Sequence, residues 1–147
     1  MTNLQRRAFQ TGCYVAFATA AIHMVGAILT PQPPPVDDTH RQLLDLATTY
    51  KLQLPGGPNR TLMELTDGFS LVYSLMLALT GGLGLIVLRR AANDDLLFLA
   101  TARALAGGYL VMLAISVAYF CLIPTSLTAV IALSFLIAAF GRPATAP

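Results

Sequence analysis

Charge is scarce in this chain of 147 residues: nine Lys and Arg and seven Asp and Glu make up only 11% of it. A soluble domain carries about 25% charged residues. The shortage excludes an ordinary water-soluble globule, because too few charges exist to cover its surface. Cysteine is equally sparse. Cys13 and Cys121 offer neither a disulfide framework nor a C-x-x-C redox centre. They sit near the ends of different apolar runs, on opposite faces of a bilayer, too far apart to bridge. The two histidines, His23 and His40, have no ligand spacing around them, which excludes a metal cluster. A net charge of +2, with its basic residues scattered, does not suit nucleic acid. No internal repeat suggests an inverted-repeat transporter, and no motif names a reaction.

What is abundant is apolar. Hydrophobic residues make up 56% of the chain and the mean hydropathy is +0.68, so lipid is the expected solvent for much of the surface. Four apolar runs cover about 8–30, 68–88, 96–122 and 124–140. At 1.5 Å per helical residue such runs match roughly 30 Å of hydrocarbon. Arg6 and Arg7 precede the first run, and Pro31 with Pro33-Pro34-Pro35 ends it. Arg89-Arg90 stops the second, Pro124 turns the chain into the fourth, and Gly141-Arg142-Pro143 closes that one. The short linker from Ala91 to Asp95 predicts that spans two and three are antiparallel neighbours. The expected fold is an all-α transmembrane four-helix bundle, one domain over 1–147. Its long first loop, 31–67, is extracytoplasmic and contains a short amphipathic helix.

That loop has a pattern of its own. Asp37 and Asp38 can cap a helix, and Leu43, Leu46 or Ala47, Tyr50 and Leu54 then fall three and four apart. The stripe suits a helix lying on the bilayer or on the tops of the other helices. Pro55-Gly56-Gly57-Pro58 breaks it. The first run has a rival reading: Arg6-Arg7-Ala8-Phe9 resembles a twin-arginine export signal, with Ala18-Thr19-Ala20 as its cleavage site. Apolar character continues to Leu29, further than a cleaved signal needs, so the run is expected to remain as an anchor. Arg6, Arg7, Arg89, Arg90 and Arg142 flank one side of the spans, against Arg41, Lys51 and Arg60 spread over the long loop. The positive-inside rule places both termini and the 89–95 linker in the cytoplasm.

His23 is the most informative single residue, because an ionisable group inside a membrane tends to face the bundle interior. Counting equal depth along the other spans brings Tyr73, Ser74, Ser116 and Thr128 to its level, with Tyr119 about one turn nearer the surface, and Ser70 joins His23 and Tyr73 as a group that would fix the polar end of a ligand. These seven form a candidate pocket in the outer half of the bundle. The plainer alternative is a neutral imidazole bonded to one hydroxyl, joining two helices. A haem held by two histidines would need a second histidine inside the membrane, and none exists. Glu64 and Asp67 form a candidate polar entrance at the start of span two. Paired carboxylates can do acid–base work, but here they also suit a helix N-terminus capped by Thr66 or Asp67. Arg103 lies roughly two turns inside span three, where it can snorkel, pair with Asp94 or Asp95, or contact an anionic headgroup. Gly81, Gly82, Gly84, Ala104 and Gly108 are candidate packing positions, since small residues let helix backbones approach. No catalytic residue and no metal ligand is assigned, and no cofactor is expected.

A histidine in span one, a long first loop, Gly68-Phe69-Ser70 opening span two and Thr80-Gly81-Gly82-Leu83 within it are the features of a resemblance. In this outline the chain resembles a group of small uncharacterised bacterial four-helix integral membrane proteins. The resemblance implies a bacterial cytoplasmic (inner) membrane location and a four-helix bundle, and it implies no activity. The layout also resembles that of the DoxX-like membrane proteins, which would imply a redox association.

Three functions compete. The first is a non-catalytic accessory or scaffold protein, a subunit of a larger membrane complex or a homodimer, motivated by few buried charges and many small residues. The second is a binder or carrier of a lipid or apolar small molecule in the pocket near His23, with segment 39–54 as its lid. The third is a small membrane enzyme using His23 with Asp67 or Glu64. The bilayer is the expected partner throughout, and nucleic acid is not.

Overall fold

The computed structural model describes residues 1–29, 34–53, 55–91 and 94–140, with the backbone alone for Ala27 and Ile28. Leu54 and Arg142, both counted above, lie outside the described residues. The described residues are nearly all helical. Among them four helices are long and apolar enough to cross a membrane: α1 (Asn3–Leu29), α3 (Leu62–Arg90), α4 (Asp95–Tyr119) and α5 (Leu122–Ala139). A shorter helix, α2 (Asp38–Thr49), follows α1. Two-residue strands β1 (Lys51–Leu52) and β2 (Arg60–Thr61) pair antiparallel, with Lys51 opposite Thr61. Gly56, in the turn between them, has φ +76°, a conformation open to glycine without strain.

Each helix start has a local cause. The Thr2 hydroxyl accepts from the Gln5 amide N–H at 3.2 Å while the Gln5 side chain accepts from the Thr2 N–H at 2.8 Å. This reciprocal pair satisfies donors that an α-helix leaves free at its first turn. Asp37 caps α2 by accepting from His40 N–H at 2.7 Å. Asp94 caps α4 by accepting from Leu97 N–H. In α3 the cap is Thr61, locked in a capping box with Glu64. The expectation of Thr66 or Asp67 as cap is therefore corrected: the helix begins well before the apolar run, at the Thr61-Leu62-Met63-Glu64 signature. Thr66 lies inside the helix and bonds back to the Leu62 carbonyl. The turn into α5 also shifts: α4 ends at Tyr119, Phe120 and Cys121 make the bend, and Pro124 sits in the first turn of α5. Proline is tolerated there because a first-turn N–H has no helical partner to lose.

Helix packing departs from the order of the chain. α1 lies against both α3 and α5, and α5 lies against α4, whereas α3 and α4 touch only sparsely. Spans two and three are joined by a short linker but are not packed neighbours along their length. The reason is visible in the small residues. A Cβ on Gly81 would fall 2.7 Å from Phe17 Cδ2 and 2.8 Å from the Cys13 carbonyl oxygen, and one on Gly84 would fall 2.5 Å from Cys13 Sγ. α3 turns its glycine face to α1, which commits it there and leaves its seam with α4 open.

The core concentrates at one end. Phe9 of α1, Phe98 and Tyr109 of α4 and Phe135 of α5 stack with centroids 5.2–5.4 Å apart, and all four are buried. The Gln5 side-chain amide donates to the Ala138 carbonyl at 3.1 Å, satisfying a free carbonyl of the last turn of α5. The Met1 ammonium meets Asp95 at 2.7 Å. The starts of α1 and α4 and the end of α5 thus share one end of the molecule.

Candidate functional site

At the other end the polar groups gather around His23. The Ser74 hydroxyl donates to the Ser70 carbonyl one turn earlier, at 2.9 Å. Its hydrogen is thereby committed, so its oxygen accepts from His23 Nδ1 at 3.1 Å. The assignment from this network places a hydrogen on Nδ1. The imidazole and the Tyr73 ring meet edge to face, with ring centroids 5.2 Å apart. Four of the seven candidate pocket residues therefore meet between α1 and α3: His23, Tyr73 and Ser74 through their side chains and Ser70 through its carbonyl. The other three do not bond to this group. The Thr128 hydroxyl donates to the Pro124 carbonyl within its own helix. Ser116 is buried and its carbonyl accepts from Thr125. Tyr119 is 82% exposed.

The carboxylates stand apart from the histidine. Glu64 belongs to the capping box and lies 3.5 Å from the Arg60 guanidinium, and Asp67 is exposed one turn later. Among the described residues no hydrogen bond or ion pair joins His23 to Glu64 or Asp67. Arg103 is exposed and makes no ion pair there either, Asp95 being held by the Met1 ammonium. Among the described residues no group of three or more His, Cys, Asp and Glu converges on a metal-sized site.

Sequence reasoning missed a lateral cleft. Where α3 and α4 diverge they leave about 350 Å³, walled by Tyr73, Met76, Leu77 and Thr80 on one side and Ala104, Leu105, Gly108, Tyr109 and Met112 on the other. Its lining carries no charge and three hydroxyls. Thr80 donates to the Met76 carbonyl at 2.8 Å, and Tyr109 reaches across the seam to the Thr80 side chain. The Tyr73 hydroxyl has no hydrogen-bond partner among the described residues. A tyrosine and a threonine at matched depth in two apolar spans were the available sign, but depth does not say which way either points.

The glycines divide into two kinds. Gly81 and Gly84 are buried against α1, and a Cβ on Gly82 would rest in ordinary contact with Phe17, at 3.5 Å. A Cβ on Gly107 or Gly108 would meet nothing within 4 Å. With exposed Ala100, Ala104 and Val111 they form an outward small-residue face on α4. The stripe on α2 is likewise unpartnered: Leu43, Leu46 and Tyr50 are all about three-fifths exposed, and the helix has no buried residue. No family model, curated protein or solved structure matches this chain, so the resemblance in layout carries no family assignment.

Proposed function

We propose that this chain is a non-catalytic docking subunit of the bacterial cytoplasmic membrane, a four-helix bundle that receives a transmembrane helix of another protein along α4. The observation that carries the reading is the contrast between Gly81 and Gly84 of α3, closed against α1, and Gly107 and Gly108 of α4, which face outward unfilled. Lipid supplies no hydrophobic force between helices, so association depends on close backbone approach and packing. The face formed by Ala100, Ala104, Gly107 and Gly108 offers such an approach. The orientation in this reading follows the arginines. Arg6, Arg7, Arg89 and Arg90 occupy the end where α1 and α4 start and α5 ends, and that end is cytoplasmic by the positive-inside rule. α2 then lies on the extracytoplasmic surface, its stripe of Leu43, Leu46 and Tyr50 toward the bilayer interface.

The test is native mass spectrometry after gentle extraction from the source membrane at native expression. Co-release with a stoichiometric protein partner, lost in Gly107→Leu, is the expected result. A lone wild-type chain under conditions that preserve known complexes of the same membrane would sink the reading.

A further inference from the structure

We infer that the cleft between α3 and α4 holds a single acyl chain of a bilayer lipid, with its ester carbonyl at the Tyr73 hydroxyl. This rests on the cleft, which shares Ala104 and Gly108 with the docking face but not Gly107.

The cleft provides about 350 Å³ between two helices that touch only sparsely. A void in hydrocarbon leaves its lining without dispersion partners on one side, and the slender molecule at hand in a bilayer is an acyl chain. From Tyr73 to Thr80 the cleft follows seven residues of α3, about 10 Å of helix, a length that suits an extended chain segment.

Chemistry decides the orientation. The lining is uncharged, with Met76, Leu77, Leu105 and Met112 as its apolar walls. Methionine adapts its shape to irregular apolar partners. Thr80 is engaged with the Met76 carbonyl and with Tyr109. Tyr73 keeps its O–H as a donor at the end of the cleft furthest from the 91–95 linker. Its ring meets His23 in an edge-to-face contact, and His23 is itself anchored through Ser74 to Ser70. Tyr73 lies five residues past Gly68, where the apolar run opens, which is about 8 Å of helix. A lipid ester can reach that depth from the leaflet beside the α3 start, leaving its headgroup at the surface and its tail in the cleft.

The experiment uses the full chain in phosphatidylcholine vesicles containing a trace of phosphatidylcholine with a diazirine in mid-chain, irradiated and mapped by peptide mass spectrometry. Labels are expected to concentrate on Met76, Thr80, Leu105 and Met112. Gly108→Leu places a side chain into open cleft space and should abolish those labels, while Gly107→Leu, one residue round the helix, leaves them in place. Thr80→Leu blocks the cleft from the opposite wall and serves should Gly108→Leu misfold. Tyr73→Phe should reduce the lipid retained in native mass spectra without altering helicity. Labelling spread evenly over all lipid-facing positions overturns the inference. So does cleft labelling that persists when either blocking variant is folded, or a wild-type cleft protected by a protein helix.

Discussion

The two ends of the bundle are built on different terms. At the end where α1 begins, four aromatic rings from three helices interlock, Gln5 ties the last turn of α5, and Gly84 lets Cys13 sit within contact of the α3 backbone. Towards the other end α1 has no buried residue beyond Ala20 among those described, and from the middle of the bundle, where Tyr109 borders the aromatic cluster, α3 and α4 separate around a cleft edged by hydroxyls. Lipid is the solvent on all sides, so hydrophobic burial cannot explain the contrast. Steric fit does. Rings and glycines are complementary shapes that close an interface, whereas a histidine, a serine and a tyrosine form a few directed bonds and leave space beside them. A molecule that is rigid at one end and open at the other can keep its fold while something enters the open part.

The sharpest way to break the comparison is to empty the closed end. Phe135 meets both Phe9 and Tyr109, and Phe135→Ala removes both contacts at once. The expected loss is about 3 kcal/mol, the low end for a ring-sized truncation, because lipid rather than water receives the exposed groups. Reversible unfolding in mixed micelles followed by circular dichroism measures it. A loss no larger than that of a hydroxyl variant at the open end would mean the two ends are not different in kind.

Overfilling the same end comes next. Gly84→Ala drives a methyl against Cys13 Sγ and Gly81→Ala drives one against the Cys13 carbonyl, each expected to cost about 1–3 kcal/mol. The two differ in what relieves them. Cys13→Ala removes the sulfur that Gly84→Ala strikes, so the double variant should recover most of the loss. It cannot move a backbone oxygen, so Gly81→Ala should stay destabilised. Equal rescue of both would show that α1 shifts as a body instead of meeting α3 atom by atom.

These glycines also show where sequence reading succeeds and where it stops. That four runs are long and apolar enough to cross a membrane is legible from hydropathy, and Asp37 is legible as a cap from its place before Asp38. The Thr61-x-x-Glu64 and Thr2-x-x-Gln5 signatures are equally readable, but the apolar runs taken alone set the helix starts too late. The open α3–α4 seam is not readable. A short linker fixes proximity at one end only, and which way Gly81 and Gly84 face depends on the rotation of α3 about its axis. The same limit applies to the site. Depth along a span places Ser74, Ser116 and Thr128 level with His23, but azimuth selects Ser74, and azimuth comes from packing.

At the open end single substitutions should cost little. Ser74→Ala removes the acceptor for His23 Nδ1, and interhelical hydrogen bonds of this kind in membranes average about 0.6 kcal/mol. The same unfolding measurement should find a loss of that order. A loss rivalling Phe135→Ala would make the His23–Ser74 bond a keystone of the fold and remove the contrast between the ends.

The smallest stability effect belongs to Gly107→Leu, and it discriminates between folding and docking most cleanly. A Cβ there meets nothing within 4 Å, so no packing is disturbed, and replacing a mid-helix glycine gains up to about 1 kcal/mol of helix propensity. The variant should be neutral or slightly more stable than wild type in isolation. If α4 presents its small residues to another helix, the added side chain holds the two backbones apart, and the complex should dissociate while the subunit stays folded. Stability and association would then move in opposite directions from one substitution. Should both fall together, Gly107 is needed by the fold itself, and the outward face of α4 loses its meaning as a docking surface.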